Sequence, residues 1–179
     1  QRLPDKMLLK LGDKHLCQHI FHTLLQVKAV IDIDIYCFCS DESVKHMLSP
    51  GIQFLKRDPE LDLDETMGLD IYKSFTSMVE SDVYLLCHAT SPFINYNSIV
   101  KGLNKVISEN YDSAFSCRKV QTFCWYDDEP INYSVDNIVR TQQIKPIYWE
   151  TSAFYIFHKS VIDSNRRIGE NPCMIETSY

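Results

Sequence analysis

The sequence predicts an α/β fold of the doubly wound type, in three layers, with a mainly parallel sheet and a small protruding hairpin. Strand-like apolar runs alternate with amphipathic helical stretches between residues 33 and 107. The run at 82–87 stops abruptly in a polar loop that holds Thr90, Ser91 and Pro92. A buried parallel strand ends in this way at the carboxyl edge of a sheet, where open α/β folds place their ligands.

The first third of the chain supplies one helix and then a strand followed by a helix. One helical stripe predicts a first helix of about four turns. Its members are Leu16, Ile20, Leu24 and Val27. The apolar run at 33–39 predicts a strand. Ser40 and the two acids after it predict an N-cap and first turn for a helix over 40–48.

The middle of the chain continues the alternation. A short strand at 52–55 is followed by a polar loop, and an apolar stripe predicts a helix at 66–80 that leads into the strand at 83–87. Asn95 or Asn97 can cap a third helix. The residues of this helix predicted to face the core are Ile99, Val100, Leu103, Val106 and Ile107.

The last third departs from this pattern. A strand at 112–117 precedes a predicted hairpin at 121–135, and an aromatic strand at 152–157 returns to the main sheet. The polar segment at 136–150 is predicted to reach out of the body. The region 121–150 then fits either a dimerisation arm or a local cover for the edge of the sheet. The aromatic residues that raise this question are Phe123, Trp125, Tyr148 and Trp149.

Length and composition narrow the function classes. The 179 residues, 45% of them hydrophobic, are expected to form a single domain over 1–179. Neither a membrane-length apolar run nor a secretory signal is present in the sequence, so no membrane partner and a cytoplasmic location are expected. The formal charge of −6 argues against nucleic-acid binding. Seven cysteines without framework or zinc-site spacing favour reduced thiols over disulfides or a metal site.

The start of the chain poses a topological problem. A doubly wound sheet begins with a central strand that is buried on both faces, and no strand is predicted before the first helix. Without such a strand, its two neighbours would keep unpaired backbone groups. We therefore expect the natural protein to extend upstream, with residue 1 inside a loop, and the domain to be truncated at both ends.

Five segments occur in a fixed order: QRLPDK at 1–6, KRDPEL at 56–61, CHATSPF at 87–93, RTQQ at 140–143 and ETSAFYIF at 150–157. Together they resemble the acylneuraminate (CMP-sialic acid synthetase-like) cytidylyltransferases, over almost the whole chain. The resemblance implies a Rossmann-like nucleotidyltransferase fold and a homodimer. It also implies an enzyme that transfers CMP from CTP to the anomeric hydroxyl of a sialic-acid-like sugar acid, a nonulosonic acid, and releases pyrophosphate.

The resemblance assigns the nucleotide to basic side chains. Arg2 and Lys6 match the end of the loop that wraps the triphosphate, and as catalytic residues they would stabilise the leaving phosphates. Arg57 matches an arginine at the cytidine end of the nucleotide. The alternative is a surface arginine paired with Asp58 or Glu60, and the position of this loop after a strand favours binding.

The resemblance assigns the sugar acid to the later segments. Thr90 and Ser91 agree with the family, although such hydroxyls also commonly satisfy nearby backbone groups. His88 stands where glutamine is usual, and either binds the sugar acid or sits satisfied at the strand end. Arg140 with Gln142 matches an Arg-x-Gln element that faces the carboxylate and hydroxyls of the acceptor.

Several positions depart from the family pattern. Met7 stands where asparagine is frequent, Ile94 where arginine is common, and Ser152 where many relatives carry glycine. Thr66 lies in the segment that resembles the base-recognition turn, whose usual serines are absent here. The choice of sugar acid is therefore expected to differ from plain N-acetylneuraminate.

The resemblance implies Mg²⁺ as cofactor, with its ligands beyond Tyr179. Asp32 and Asp34 offer an acidic pair inside the chain. They begin a strand, at the amino edge of the sheet, and we interpret them as solvated charges. Two alternatives stay open: a catalytically silent binding or dimerisation module of the same fold, and a nucleotide-sugar glycosyltransferase that would use this acidic pair.

Overall fold

The computed structural model describes residues 6–177, which begin with a short 3-10 helix and a hairpin. The 3-10 helix Lys6–Leu8 leads into β1 (Lys10–Leu11), which pairs antiparallel with β2 (Lys14–His15). Gly12 turns this hairpin with a φ of +68°. A residue without a Cβ atom adopts that angle readily, so the sequence places glycine where the turn needs it.

Helix α1 (Leu16–Lys28) follows at once and confirms the first predicted helix. At its start the side chain of Gln18 accepts a hydrogen bond from the backbone N–H of His15 at 2.9 Å, which satisfies one of the unpaired groups of a helix end. Its buried residues are Cys17, Ile20, Phe21, Thr23 and Val27.

Strands β3 (Ile35–Cys39) and β4 (Ile52–Lys56) form a parallel pair. The α-helix predicted over 40–48 is wrong in type, because the structure has a 3-10 helix, Glu42–Met47, in its place. Asp41 rather than Ser40 caps it, by accepting a hydrogen bond from the next-but-one backbone N–H at 2.9 Å. The proline at position 50 disfavours helical backbone at the residue before it, so this helix ends ahead of it.

Helix α2 (Gly68–Met78) begins and ends two residues inside the predicted limits, and β5 (Val83–Cys87) has the predicted limits. The side chain of Tyr84 fixes the turn between them, since its hydroxyl donates to the carbonyl of Val79 at 2.8 Å. The helix therefore ends where the chain must bend back into the sheet.

Helix α3 (Tyr96–Ser108) is capped by Asn95, whose side chain accepts a hydrogen bond from the backbone N–H of Asn97 at 2.8 Å. This decides between the two predicted caps. The chain then enters β6 (Ser113–Val120), which runs three residues beyond the predicted strand end.

The predicted hairpin is present, but its strands are short. Strand β7 (Trp125–Tyr126) pairs with β8 (Glu129–Pro130) around Asp127 and Asp128, whose φ angles are +49° and +64°. Two consecutive residues with positive φ are typical of a type I′ turn, whose backbone twist matches that of the two paired strands. The large apolar side chains that stay exposed here and at the start of the next strand include Trp125, Tyr126, Ile131, Ile138 and Trp149.

Strand β9 (Ile147–His158) begins earlier than predicted. Its first residues were predicted to reach out of the body. They pair instead with the extension of β6, where Tyr148 lies opposite Lys119, because that extension offers their backbone groups partners. Helix α4 (Lys159–Asp163) and strand β10 (Pro172–Glu176) complete the described fold.

The main sheet has the strand order β10–β6–β9–β5. Strands β10, β6 and β5 run in one direction and β9 runs against both of its neighbours, so the sheet is mainly parallel, as predicted. Within residues 6–177, β3 pairs only with β4, and β5 pairs only with β9. The first strand expected upstream stays a prediction.

Helices cover both faces of the main sheet and give the predicted three layers. Helices α1 and α3 pack on one face, and α2 and α4 pack on the other. The first face includes Ile20, Ile99, Leu103, Phe154 and Ile156. The second includes Tyr72, Tyr84, Tyr155, Phe157 and Val161. Across the described range, every helix is too short or too polar to cross a membrane.

Candidate functional site

The corner that follows β5 consists of two consecutive turns. The backbone N–H of Ser91 donates to the carbonyl of His88 at 3.0 Å, and that of Ile94 donates to the carbonyl of Ser91 at 3.3 Å. Thr90 is exposed and Ser91 is half-buried. Neither side-chain hydroxyl has a hydrogen-bond partner among residues 6–177, so these groups do not serve the local backbone there. They are open to a ligand.

The opening segment lies beside this corner. Leu11 and Leu16 line one pocket together with residues 90–93. The backbone N–H of Leu16 donates to the carbonyl of Leu9 at 2.9 Å, which ties the opening segment to the start of α1. Lys6 is exposed at the beginning of that segment. The structure therefore places the segment that carries Lys6 on the same side of the molecule as the hydroxyls of the corner, whereas Arg2 lies outside the described residues.

Arg57 follows β4 and is held by an acid that the sequence did not single out. Its guanidinium pairs with Asp62, which also accepts a hydrogen bond from Ser40. The two acids proposed as surface partners, Asp58 and Glu60, are not its partners here. The Nε atom of Arg57 is buried and has no partner among the described residues. Nucleotide binding by Arg57 stays a prediction.

Thr66 closes the loop after Arg57 onto itself. Its hydroxyl donates to the carbonyl of Glu60 at 3.2 Å, and its backbone N–H donates to the carbonyl of Leu63 at 3.1 Å. The hydroxyl is thus engaged, although as an oxygen it can still accept a bond. The role of Thr66 in recognising the base also stays a prediction.

His88 lies at the end of β5, against the central strand. Its backbone N–H donates to the carbonyl of Ala153 at 3.0 Å, and its ring lies 6.2 Å from that of Tyr155 in an edge-on arrangement. Its Nε2 atom is buried without a partner in the described part of the chain. Burial, followed by the positive charge of Arg167, lowers the pKa of His88, so the imidazole is neutral at neutral pH.

Three side chains to which the sequence assigned no role come together at the ETSAFYIF segment of β9. They are Glu150, Tyr155 and Arg167. The hydroxyl of Tyr155 donates to Glu150, and it also hydrogen-bonds with the hydroxyl of Ser152 at 2.9 Å. Arg167 donates to Glu150 at 2.6 Å and stacks over the ring of Tyr155, with 4.6 Å between its Cζ and the ring centroid. Burial and then the bond to Glu150 raise the pKa of Tyr155 to about 12, so the phenol keeps its proton.

The loop between α4 and β10 carries Arg167 to this cluster. The carboxylate of Asp112 accepts hydrogen bonds from the backbone N–H of Asn171 at 2.9 Å and from that of the residue before it at 2.7 Å. Burial raises the pKa of Asp112, but these bonds and one from Ser113 outweigh it, so the pKa lies below its usual value. A Cβ atom at Gly169 would lie 2.2 Å from the Cγ of Asp112, so the close approach requires glycine.

A family model described as Cytidylyltransferase matches residues 1–171 of this chain. The chain belongs to the cytidylyltransferase family. This confirms the family that the five segments indicated.

Curated proteins similar to this chain include two N-acylneuraminate cytidylyltransferases. The N-acylneuraminate cytidylyltransferase of Streptococcus agalactiae serotype V is 27% identical over 168 residues, which cover 88% of this chain and 40% of the relative. N-acylneuraminate cytidylyltransferase A of Danio rerio is 27% identical over 132 residues, which cover 69% of this chain and 31% of the relative. The chain therefore spans about two fifths or less of the length of these relatives.

Solved structures confirm the fold. A CMP:2-keto-3-deoxy-manno-octonic acid synthetase complexed with CTP matches with a TM-score of 0.72 and 16% identity, covering 99% of this chain and 85% of the other. The 4-diphosphocytidyl-2C-methyl-D-erythritolsynthase of Anaerococcus prevotii matches with a TM-score of 0.64 and 12% identity, covering 95% and 80%. At these identities the likeness speaks for the α/β nucleotidyltransferase fold alone.

Two departures of this cytidylyltransferase from the family pattern are packed residues. Met7 packs against the main core, and Ile94 is buried with 3% of its surface exposed. Neither side chain carries a hydrogen-bond donor, so neither position can donate to a ligand. Ser152 differs, because it keeps a φ of +56° and adds a hydroxyl.

Arg140 and Gln142 belong to an exposed turn next to the end of β6. The side chain of Gln121 donates to the carbonyls of Thr141 and Ile144, at 2.8 Å each, and so holds this turn. The hydrogen bonds and ion pairs of the described residues do not join Arg140 or Gln142 to the corner after β5. Their contact with the sugar acid stays a prediction.

The residues present do not fit the expected Mg²⁺. Among residues 6–177, no group of three or more His, Cys, Asp or Glu side chains is placed to hold a metal ion. Asp32 and Asp34 are exposed and precede β3, at its amino end, and Asp34 pairs with Lys28 at 3.5 Å. They lie at the amino end of their strand, whereas open α/β sheets bind ligands at the carboxyl ends, which argues against the glycosyltransferase alternative.

Proposed function

We propose that this protein transfers CMP from CTP to the anomeric hydroxyl of a sialic-acid-like sugar acid. The hydroxyl oxygen attacks the α-phosphorus, the bond to the β-phosphate oxygen breaks, pyrophosphate leaves and the hydroxyl proton is released. The observation that carries the proposal is the corner after β5. Its Thr90 and Ser91 line one pocket together with the opening segment, just after a strand, where open α/β folds bind nucleotides. The names of the curated relatives supply the acceptor class.

The chemistry asked of these side chains is positioning and electrostatic stabilisation. Arg2 and Lys6 stabilise the charge that grows on the leaving phosphates, while Arg57 and Thr66 hold the nucleotide. The acceptor is oriented by the corner, through His88, Thr90 and Ser91, and by the Arg140–Gln142 turn. Residues 6–177 contain no cluster of three or more His, Cys, Asp or Glu side chains that could hold the expected Mg²⁺.

The test is pyrophosphate release by the full-length protein with CTP, Mg²⁺ and a panel of nonulosonic acids. Replacing Lys6 by Ala is expected to lower turnover by about 10²-fold, since a positive group at the leaving phosphates is lost. Lys10→Ala is the matched control, because it removes the same charge from the next exposed lysine. Equal turnover of the two variants contradicts the role of Lys6, and no pyrophosphate with any acceptor contradicts the proposed reaction.

A second candidate is a catalytically silent member of the family that only binds. The packed side chains at Met7 and Ile94 favour it, because they remove two polar contacts from the site. Calorimetry separates the two functions: binding of CTP without pyrophosphate release, across the same acceptor panel, supports the silent module.

We also propose a homodimer formed through the region 121–150. Trp149 is 65% exposed and Trp125 is 56% exposed. Burying such side chains between two copies would remove a large apolar area from water and so stabilise the dimer. Sedimentation of the wild type and of Trp149→Glu tests this, with a dimer expected for the first and a monomer for the second. Identical sedimentation of the two excludes Trp149 from the contact.

A further inference from the structure

The unpartnered nitrogen of His88 requires an explanation. Burying a polar atom without a hydrogen bond destabilises a fold, and native proteins keep few such atoms. His88 Nε2 is one of two in the described residues, and it lies at the carboxyl end of β5, just before the two open hydroxyls. Because Nε2 makes no hydrogen bond to the described residues, the orientation of the His88 imidazole depends on the side chains packed against it.

The packing that fixes His88 passes through Tyr155 to Arg167. The ring of Tyr155 meets the imidazole edge-on at 6.2 Å, and the guanidinium of Arg167 lies over that same ring at 4.6 Å. Glu150 joins Tyr155 to Arg167, since it accepts hydrogen bonds from the Tyr155 hydroxyl and from the Arg167 guanidinium. A planar guanidinium suits this double task of stacking and pairing.

We propose that Arg167 is a positioning residue for the acceptor site. By holding the Tyr155 ring and Glu150, it fixes the His88 imidazole so that Nε2 meets a hydroxyl group of the sugar acid. A hydroxyl both donates and accepts, so it satisfies Nε2 in either neutral tautomer. This role rests on the proposed function, and it goes beyond it by assigning a residue that lies outside the five family segments.

Hydrogen bonds fix the backbone of the loop that carries Arg167. Asp112 and Ser113 bind three consecutive backbone N–H groups just after it, at 2.7 to 2.9 Å. The adjacent Arg166 points elsewhere and pairs with Glu170, whose side chain is 86% exposed. Two neighbouring arginines of equal charge therefore have different surroundings, and the second provides a control for the first.

The experiment measures KM for the acceptor and for CTP in Arg167→Met, Arg167→Lys and Arg166→Met. Arg167→Met is expected to raise the acceptor KM about tenfold, the effect of one misplaced hydrogen bond, and to leave the CTP KM within about twofold. Arg167→Lys should lie between, because lysine keeps the charge for Glu150 but has no planar group for the Tyr155 ring. Arg166→Met should match the wild type.

A second measurement keeps this proposal separate from the proposed function. In NMR titrations, Arg167→Met is expected to shift the His88 ring resonances and to raise the pKa of His88, since a nearby positive charge is removed, whereas Arg166→Met should change neither. If the protein turns over no acceptor, the proposed function fails and these resonances still decide whether Arg167 positions His88. Unchanged resonances, or acceptor and CTP KM values that rise alike, overturn the proposal.

Discussion

The backbone at Ser152 allows a stability prediction in which two effects separate cleanly. Ser152 has a φ of +56°, in the left-handed region, and its hydroxyl hydrogen-bonds with that of Tyr155 at 2.9 Å. Replacing it by Gly or by Ala removes the hydroxyl in both cases. Only the glycine variant also removes the Cβ atom, so the difference between the two variants contains the strain of the backbone and the chain entropy of glycine, but not the lost hydroxyl.

The magnitude follows from opposing terms. A residue with a Cβ atom loses about 1–2 kcal/mol in the left-handed region. Glycine loses about 0.5–1 kcal/mol more than alanine in chain entropy on folding. Ser152→Gly should therefore be more stable than Ser152→Ala by about 0.5–1 kcal/mol, or roughly 2–3 °C in melting temperature for a chain of this size. The lost hydroxyl affects both variants equally, and Tyr155 keeps Glu150 as acceptor.

Urea unfolding followed by circular dichroism measures this difference directly. The wild type, Ser152→Gly and Ser152→Ala are compared at one pH, with midpoints converted to free energies of unfolding through a common slope. If the alanine variant proves as stable as the glycine variant or more so, residue 152 does not carry the strain that its φ angle implies, and the reasoning fails.

Two further predictions concern the loop after α4. Gly169→Ala should lower the free energy of unfolding by about 1–3 kcal/mol, because its Cβ would lie 2.2 Å from the Cγ of Asp112. Gly68→Ala is the control and should change little, because the atom nearest to its Cβ would be the Tyr72 hydroxyl oxygen, at 3.3 Å. Equal unfolding midpoints for these two variants would contradict the close approach. The lowered pKa of Asp112 stabilises the fold above the unfolded-state value of 3.8, and that stability is lost as pH falls through the lower folded-state pKa. In acid unfolding below about pH 4, Asp112→Asn should therefore show a shallower loss of stability than the wild type, and parallel curves would exclude Asp112 from the acid transition.

Most of the fold was predictable because its signals are local. The stripe of α1 and the apolar run of β5 each depend on a few neighbouring residues, and the structure confirms both. Of the two caps predicted for α3, Asn95 or Asn97, the structure has Asn95. The errors arose where a distant partner decides the outcome. Strand β9 begins at Ile147 because β6 continues to Val120, and nothing in the segment before residue 150 signals that pairing.

The candidate site divides in the same way. The corner with Thr90 and Ser91 was predictable, because an apolar run that stops in a polar loop is a sequence-local feature. Arg167 was not, since in the sequence it is only one of two adjacent arginines. Its contacts come from a loop that folds over the sheet and meets Glu150, 17 residues earlier in the chain. Only the three-dimensional structure distinguishes it from Arg166, whose ion-pair partner is the exposed Glu170.

The departures from the family pattern lie on different parts of the site and have different physical effects. Met7 and Ile94 are apolar side chains packed in the core, so neither donates a hydrogen bond to a ligand. Ser152 has a left-handed backbone, which glycine adopts readily, and its hydroxyl hydrogen-bonds with that of Tyr155, whose ring lies beside His88. Changes that preserve the backbone but exchange hydrogen-bonding groups alter which ligand fits, because a site discriminates through unpaired polar groups. We therefore expect this protein to differ from its relatives in its sugar acid rather than in its fold.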